Sequence, residues 1–145
     1  MIAVVETVIR APREVVFDVS RDVDAHTRSA SFSRERAVPP GRTSGLLERG
    51  DSVTFEGRHF GTRQRFTVHI TEMERPSRYV DEASHGAFRT LRHVHEFEEV
   101  EGGTLMRDTM EYASPFGALA GWVLRRFVTR KQDALKVMCE QLTVG

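Results

Sequence analysis

Two stretches hold the residues best suited to chemistry. FRTLRHVHEFEEV, residues 88–100, carries His93 and His95, and TLMRDTMEY, residues 104–112, carries Asp108 and Tyr112. Side chains alternate across an extended chain. Leu91, His93, His95 and Phe97 therefore share one face, and Thr90, Arg92, Val94, Glu96 and Glu98 the other. The face with Leu91 and Phe97 is the inner one, because its rival carries three charges. Met106, Asp108, Met110 and Tyr112 form the matching inner face of the second stretch. Two imidazoles and a carboxylate thus point inward.

Burying a polar group without a partner costs about 1–3 kcal/mol, and a charge costs more. Such a group of side chains has four readings. It can be a satisfied hydrogen-bond network with no ligand. It can be the polar end of an apolar pocket, where a few polar groups orient what binds. It can be a metal site, with His93, His95 and Asp108 as a two-histidine, one-carboxylate set. It can also be catalytic, with Asp108 fixing the tautomer of His95 as general base. Tyr112 would then donate to an enolate or phenolate oxygen. No metal or other fixed cofactor is expected.

The positions of these residues depend on how the two stretches pair. A turn centred on Glu101–Gly102 makes them an antiparallel hairpin. It sets Phe97 against Met106, His95 against Asp108, His93 against Met110 and Leu91 against Tyr112. A slip of two residues keeps the parity and sets His93 against Asp108 instead.

Residues 2–10 alternate as a strand, and Pro12 is suited to opening a helix over Arg13–Ser20. RDVDAHTRSAS, from residue 21, holds a second short helix, and residues 37–45 read as loop from their Pro and Gly content. VTFEGRHFGTRQRFTVHIT, from Val53, predicts a hairpin pivoting on Gly61–Thr62 with Phe55 opposite Val68 and Val53 opposite Ile70. Residues 77–84 form the next strand. Ser114 and Pro115 are suited to starting a helix of roughly 40 Å that ends near Leu142. Its apolar stripe is Leu119, Val123, Phe127, Ala134, Met138 and Leu142. Trp122 is expected in the core, Arg130 in solvent, and Gly117 and Gly121 at a close helix–sheet approach. His26, His69 and His85 are expected at the surface or in loops. Grouped strands followed by one long helix make an α+β domain over residues 1–145.

Composition narrows the function. Basic and acidic residues balance at 21 each, so no global field favours nucleic acid or an anionic membrane. Nineteen of the basic residues are Arg and two are Lys. One cysteine, Cys139, excludes an internal disulfide and reads as a small buried apolar residue. No apolar run reaches the roughly 20 residues of a bilayer span, and no signal peptide opens the chain, so a cytoplasmic protein is expected. Phosphate-binding loops, dinucleotide fingerprints, nucleophile elbows and HExxH motifs are missing from the sequence.

The segments IRAPREVVFDV, EGRHFGTRQRFTVHITEMERPSRYVDE and HVHEFEEVEGGTLMRDTMEYASPFG resemble the START-like, or Bet v 1-like, SRPBCC superfamily. The likeness spans essentially the whole chain and is strongest to bacterial cyclase/dehydrase-like members. It implies a helix-grip fold, a curved antiparallel sheet wrapped around the C-terminal helix with an apolar cavity between them. The expected function is binding of a small apolar or aromatic molecule, lipid- or polyketide-like. The ligand set would be Phe55, Phe66, Leu91, His93, His95, Phe97, Met106, Asp108, Met110, Tyr112, Val123 and Phe127. A polyketide cyclase or aromatase using His95 and Asp108 is the alternative, and a cavity-free interaction module a second. No nucleic acid and no stable membrane insertion are expected, and a homodimer is compatible with the sequence.

Overall fold

The computed structural model describes residues 1–29, 34–59, 62–85 and 88–144. The elements run in the order β1 (Ile2–Ile9), α1 (Arg13–Ser20), α2 (Val23–Ser29), β2 (Arg36–Val38), β3 (Ser52–His59), β4 (Thr62–Glu74), β5 (Arg78–His85), β6 (Phe88–Val100), β7 (Gly103–Ala113) and α3 (Ala118–Val144). The strands form one antiparallel sheet in the order β1-β7-β6-β5-β4-β3-β2. This is the helix-grip arrangement, with α1 and α2 following the first strand and a 27-residue α3 lying against the sheet.

The β6–β7 hairpin has the expected register. Phe97 faces Met106, His95 faces Asp108, His93 faces Met110 and Leu91 faces Tyr112. Gly102 takes φ +83° in the connecting turn, a left-handed conformation that glycine adopts without steric cost. Along β7 every second residue from Thr104 to Tyr112 is buried, which is the period-2 signature of a one-sided sheet.

The β3–β4 hairpin departs from expectation by two residues. Phe55 faces Phe66 and Val53 faces Val68, with His59 opposite Thr62 closing the ladder. The connection is therefore residues 60–61, which lie outside the described residues, rather than 61–62. A two-residue shift leaves every side chain on its expected face. Residues 37–45 are not all loop, because Ala37 and Val38 pair with Phe55 and Thr54 to form the edge strand β2.

The long helix starts at Ala118, later than Ser114–Pro115 suggested. Ser114 instead accepts a hydrogen bond from the Phe116 amide in a preceding turn. The face of α3 turned to the core is also rotated from the expected stripe. Ala120, Leu124, Val128, Leu135 and Cys139 are buried, while Leu119 and Leu142 are 59% and 66% exposed. Trp122, expected in the core, is 59% exposed. Gly121 allows the close approach expected of it. A Cβ there would lie 2.1 Å from the Tyr112 hydroxyl, whereas at Gly117 it would meet nothing within 4 Å. Cys139 is fully buried, and burial pushes its thiol up to about 12, so it acts as an apolar filler.

Two apolar clusters result. One centres on Phe17, Tyr79 and Phe97, whose rings meet at 5.2–6.0 Å, and the other on Met110, Tyr112 and Leu124. Between them the core does not close.

Candidate functional site

An internal pocket of about 190 Å³ lies between the inner face of the sheet and α3, with α2 at its side. Most of its wall is apolar, including Val53, Phe66, Ile70, Leu91, Leu124 and Phe127. Its polar lining includes Asp81, His93, His95, Lys131, His26 and Glu35, with Ser20, Arg21, Asp22 and Gln64 also on the wall.

The strand register builds the polar end. His93 and His95 stand two apart on β6 and stack with ring centroids 3.8 Å apart. Tyr79 from β5 stacks on the other side of His95 at 4.1 Å. Asp108 Oδ1 lies 2.8 Å from His93 Nε2 and 2.8 Å from His95 Nδ1. Asp108 Oδ2 accepts from the buried Gln132 side-chain amide of α3, which also donates to the Val5 carbonyl at 3.0 Å. Asp81 on β5 accepts from His95 Nε2 at 2.6 Å. The His95 ring is thus clamped between two carboxylates.

This clamp sets the charges. Burial works to lower the His95 pKa, but the hydrogen bonds to Asp108 and Asp81 outweigh it and hold the ring above its ordinary value. With a carboxylate facing each ring nitrogen, the protonated form, in which both nitrogens donate, is favoured. Burial, followed by the adjacent His95 charge, holds His93 below its ordinary value. Neutral His93 donates from Nε2 to Asp108 and keeps a lone pair on Nδ1, which has no hydrogen-bond partner among the described residues. Burial pushes both aspartates up, but the imidazoles beside them prevail. Asp108 lies well below the usual carboxylate range, and Asp81 lies below it too.

On the opposite wall, Lys131 of α3 is half-buried, with no hydrogen bond or ion pair among the described residues. Burial lowers its pKa against the pull of Asp108, Asp81 and Glu35. His26 is not a surface residue as its sequence context suggested. It bonds Glu35, stacks on Phe55 at 4.2 Å, and is lowered by burial and by Lys131. His69 is exposed, and the His85 side chain lies outside the described residues.

Of the residues expected to meet a ligand, Phe55, Phe66, Leu91, His93, His95, Val123 and Phe127 line the pocket. Phe97, Met106, Met110 and Tyr112 do not, because they fill the two packed clusters on either side of it. The Tyr112 hydroxyl is turned against Gly121 of α3. Asp108 stands behind the imidazoles rather than in the wall. Among the described residues, the cluster close enough to share a metal ion is Asp81, His93 and His95, whose ligand atoms lie within 4.8 Å of one another, rather than the expected set with Asp108. In this arrangement His95 Nε2 and Asp81 bond each other, and Lys131 adds a positive charge close by.

Residues 9–136 match the family model described as polyketide cyclase / dehydrase and lipid transport. The chain belongs to this family. Solved structures share its fold. A Thermus thermophilus protein is 17% identical with a TM-score of 0.74 over 94% of each chain. A Chromobacterium violaceum protein is 14% identical with a TM-score of 0.73 over 97% of this chain and 98% of its own. The protein Ara h 8.0201 is 11% identical with a TM-score of 0.72 over 96% of this chain and 97% of its own. At these identities the likeness shows the fold alone. No curated protein matches the sequence at significance.

Within this polyketide cyclase/dehydrase and lipid transport fold, sequence reasoning missed Asp81, Lys131 and the His26–Glu35 pair. A signal existed for Lys131. The chain has 19 Arg and two Lys, and Lys is the cation whose pKa yields to burial, whereas Arg stays charged.

Proposed function

We propose that the chain binds a small apolar or aromatic molecule in the pocket, with an oxygen function held at the polar end by Lys131 and His93. The observation carrying this reading is the largely apolar space of about 190 Å³ with His93, His95, Asp81 and Lys131 among its polar lining. An apolar engineered cavity of about 150 Å³ takes up benzene, so the volume suits a ligand on the scale of an aromatic ring with a short substituent. The Lys131 ammonium supplies a donor and His93 Nδ1 an acceptor, so a carbonyl beside a hydroxyl satisfies both. Family membership supports hydrophobic ligand binding in general.

A second reading is a cyclase or aromatase acting on a polyketone, favoured by one feature of the site. Burial holds the His93 pKa below its ordinary value, Asp108 backs its Nε2, and in the neutral form Nδ1 is left to take a proton. In this reading His93 rather than His95 is the base, since both nitrogens of His95 already face carboxylates. Lys131 would stabilise the enolate oxygen.

Native mass spectrometry of protein purified from its own host, with saturation binding of an environment-sensitive apolar dye, tests the binding reading. A retained small molecule or a saturable one-to-one dye signal, abolished by Val123→Trp in the pocket wall, is expected. A folded protein that binds no apolar probe saturably would leave only the interaction-module role.

A further inference from the structure

The outer face of α3 carries apolar side chains that the fold leaves uncovered. Phe116, in the turn before the helix, is 57% exposed, and Leu119 and Trp122 are each 59% exposed. Leu119 and Trp122 stand three apart and so share one side of the helix, with Phe116 in the turn that leads into it. Arg125, Arg126 and Arg130 follow within two turns, all exposed, and the Arg126 guanidinium lies 5.7 Å from the Trp122 ring. From Ser114 to Gln132 the chain has no acidic residue, although its overall charge is balanced. The positive charge is therefore local to this face.

We propose that this face of α3 docks on an anionic lipid surface. The charge argues for lipid over a second copy of the chain, since two copies meeting through this face would set arginines against arginines. Trp beside Leu and Phe, flanked by Arg, is the composition of helices that lie in the interfacial layer, with aromatic rings at headgroup depth and guanidiniums on the phosphates. The helix is too polar to cross, and no helix among the described residues is long and apolar enough to span a membrane. Docking is peripheral. Val123 and Phe127 line the pocket and are half-buried on the flank of the same face. The apolar strip thus runs from the lipid-facing side toward the pocket, which places an entry route for an apolar ligand at the bilayer. Docking itself depends on the outer face and not on what the pocket holds.

Trp122 is the only tryptophan in the chain, so its emission reports this face alone. Vesicles of phosphatidylcholine with about 30% phosphatidylglycerol should shift Trp122 emission to the blue and protect it from acrylamide. Pure phosphatidylcholine vesicles should do so at least tenfold more weakly, and salt should reverse the effect through screening. Arg125→Glu with Arg126→Glu should abolish vesicle binding, and Phe116→Ser with Leu119→Ser should remove the blue shift. All four side chains are exposed, so unchanged far-ultraviolet circular dichroism is expected in both variants. A Trp122 signal indifferent to anionic vesicles would overturn the proposal. So would equal binding after charge reversal, or sedimentation showing a dimer that shields Trp122 without lipid. Loss of dye binding in the pocket with vesicle binding intact would count against the ligand reading and not against docking.

Discussion

His93 stacks on His95 with ring centroids 3.8 Å apart and 17° between planes, yet the fold moves their pKa values in opposite directions, His93 down and His95 up. One carboxylate, Asp108, bonds both, so the difference comes from Asp81, which bonds only His95. Titration followed by NMR should show His95 protonating above the ordinary histidine pKa of about 6.5 and His93 below it. The linkage to stability runs in two directions. The contribution of His95, raised in the fold, is fully present below about pH 6.5 and is lost as pH rises through its folded pKa. That of neutral His93, lowered in the fold, is present above about pH 6.5 and is lost as pH falls toward its folded pKa. Asp81→Asn should bring the His95 value down toward that of His93. Two rings titrating together at about 6.5 in the unaltered protein would contradict the clamp.

Asp108 is the residue on which the polar network depends. It takes hydrogen bonds from His93 and His95 on β6 and from Gln132 on α3. Removing one partner of a buried charge pair costs about 3–5 kcal/mol. Asp108→Asn should lose stability of this order in urea unfolding under mildly acidic conditions, where His95 is charged. The loss should shrink as pH rises and His95 sheds its proton. Because the Asp108 carboxyl is held low, its own contribution is present above about pH 3.8 and disappears as acid protonates it in the fold.

The hairpin that carries His93, His95 and Asp108 was legible because one short turn and one inner face fix both its register and its parity. Asp81 was not legible. It reaches the site across β5, and the β4–β5 and β5–β6 ladders both shift register, between Ile70 and Glu72 and between Ala83 and His85. A bulge breaks the count by which register is read from sequence. Helix α3 failed for a different reason. Its first half is apolar on both faces, Leu119 and Trp122 outside and Ala120 and Leu124 inside, so periodicity gives no unique phase. Small residues at 120 and 121 mark the face that meets the sheet. The same shift in phase puts Lys131 at the pocket in place of its neighbour Arg130, which is exposed as expected.

Gly121 gives a direct check of that phase. A methyl group there meets the hydroxyl of a tyrosine that is 6% exposed, and the rigid ring has little room to withdraw. Gly121→Ala should destabilise the fold by about 1–3 kcal/mol through overpacking, against the gain that alanine normally brings in a helix. Adding Tyr112→Phe removes the clashing oxygen and leaves the ring carbon 3.2 Å away, so the double variant should recover most of the loss. Thermal melts of the four proteins of this cycle decide it. Equal stability of the wild type and Gly121→Ala would place the helix differently on the sheet.

Lys131 separates the polar end of the pocket from its apolar wall. Its ammonium lies in a setting where burial disfavours the charge, so Lys131→Met should leave stability unchanged or raise it by up to about 1 kcal/mol. Binding should divide by ligand type. A ring bearing a carbonyl should lose about tenfold in affinity, the equivalent of one ordinary hydrogen bond near 1.4 kcal/mol. A plain hydrocarbon ring of the same size should bind the variant as well as the unaltered protein, or better. His93→Gln completes the comparison, since glutamine keeps a hydrogen-bonding group of similar reach but removes the base. A binder should hold its affinity within about tenfold, whereas an enzyme using His93 should lose roughly 10²–10⁴-fold in turnover with binding retained. Isothermal titration and product analysis on the same aromatic carbonyl compounds read both quantities. Equal losses for the carbonyl and hydrocarbon ligands in Lys131→Met would mean that the lysine shapes the cavity and does not hold the ligand's oxygen.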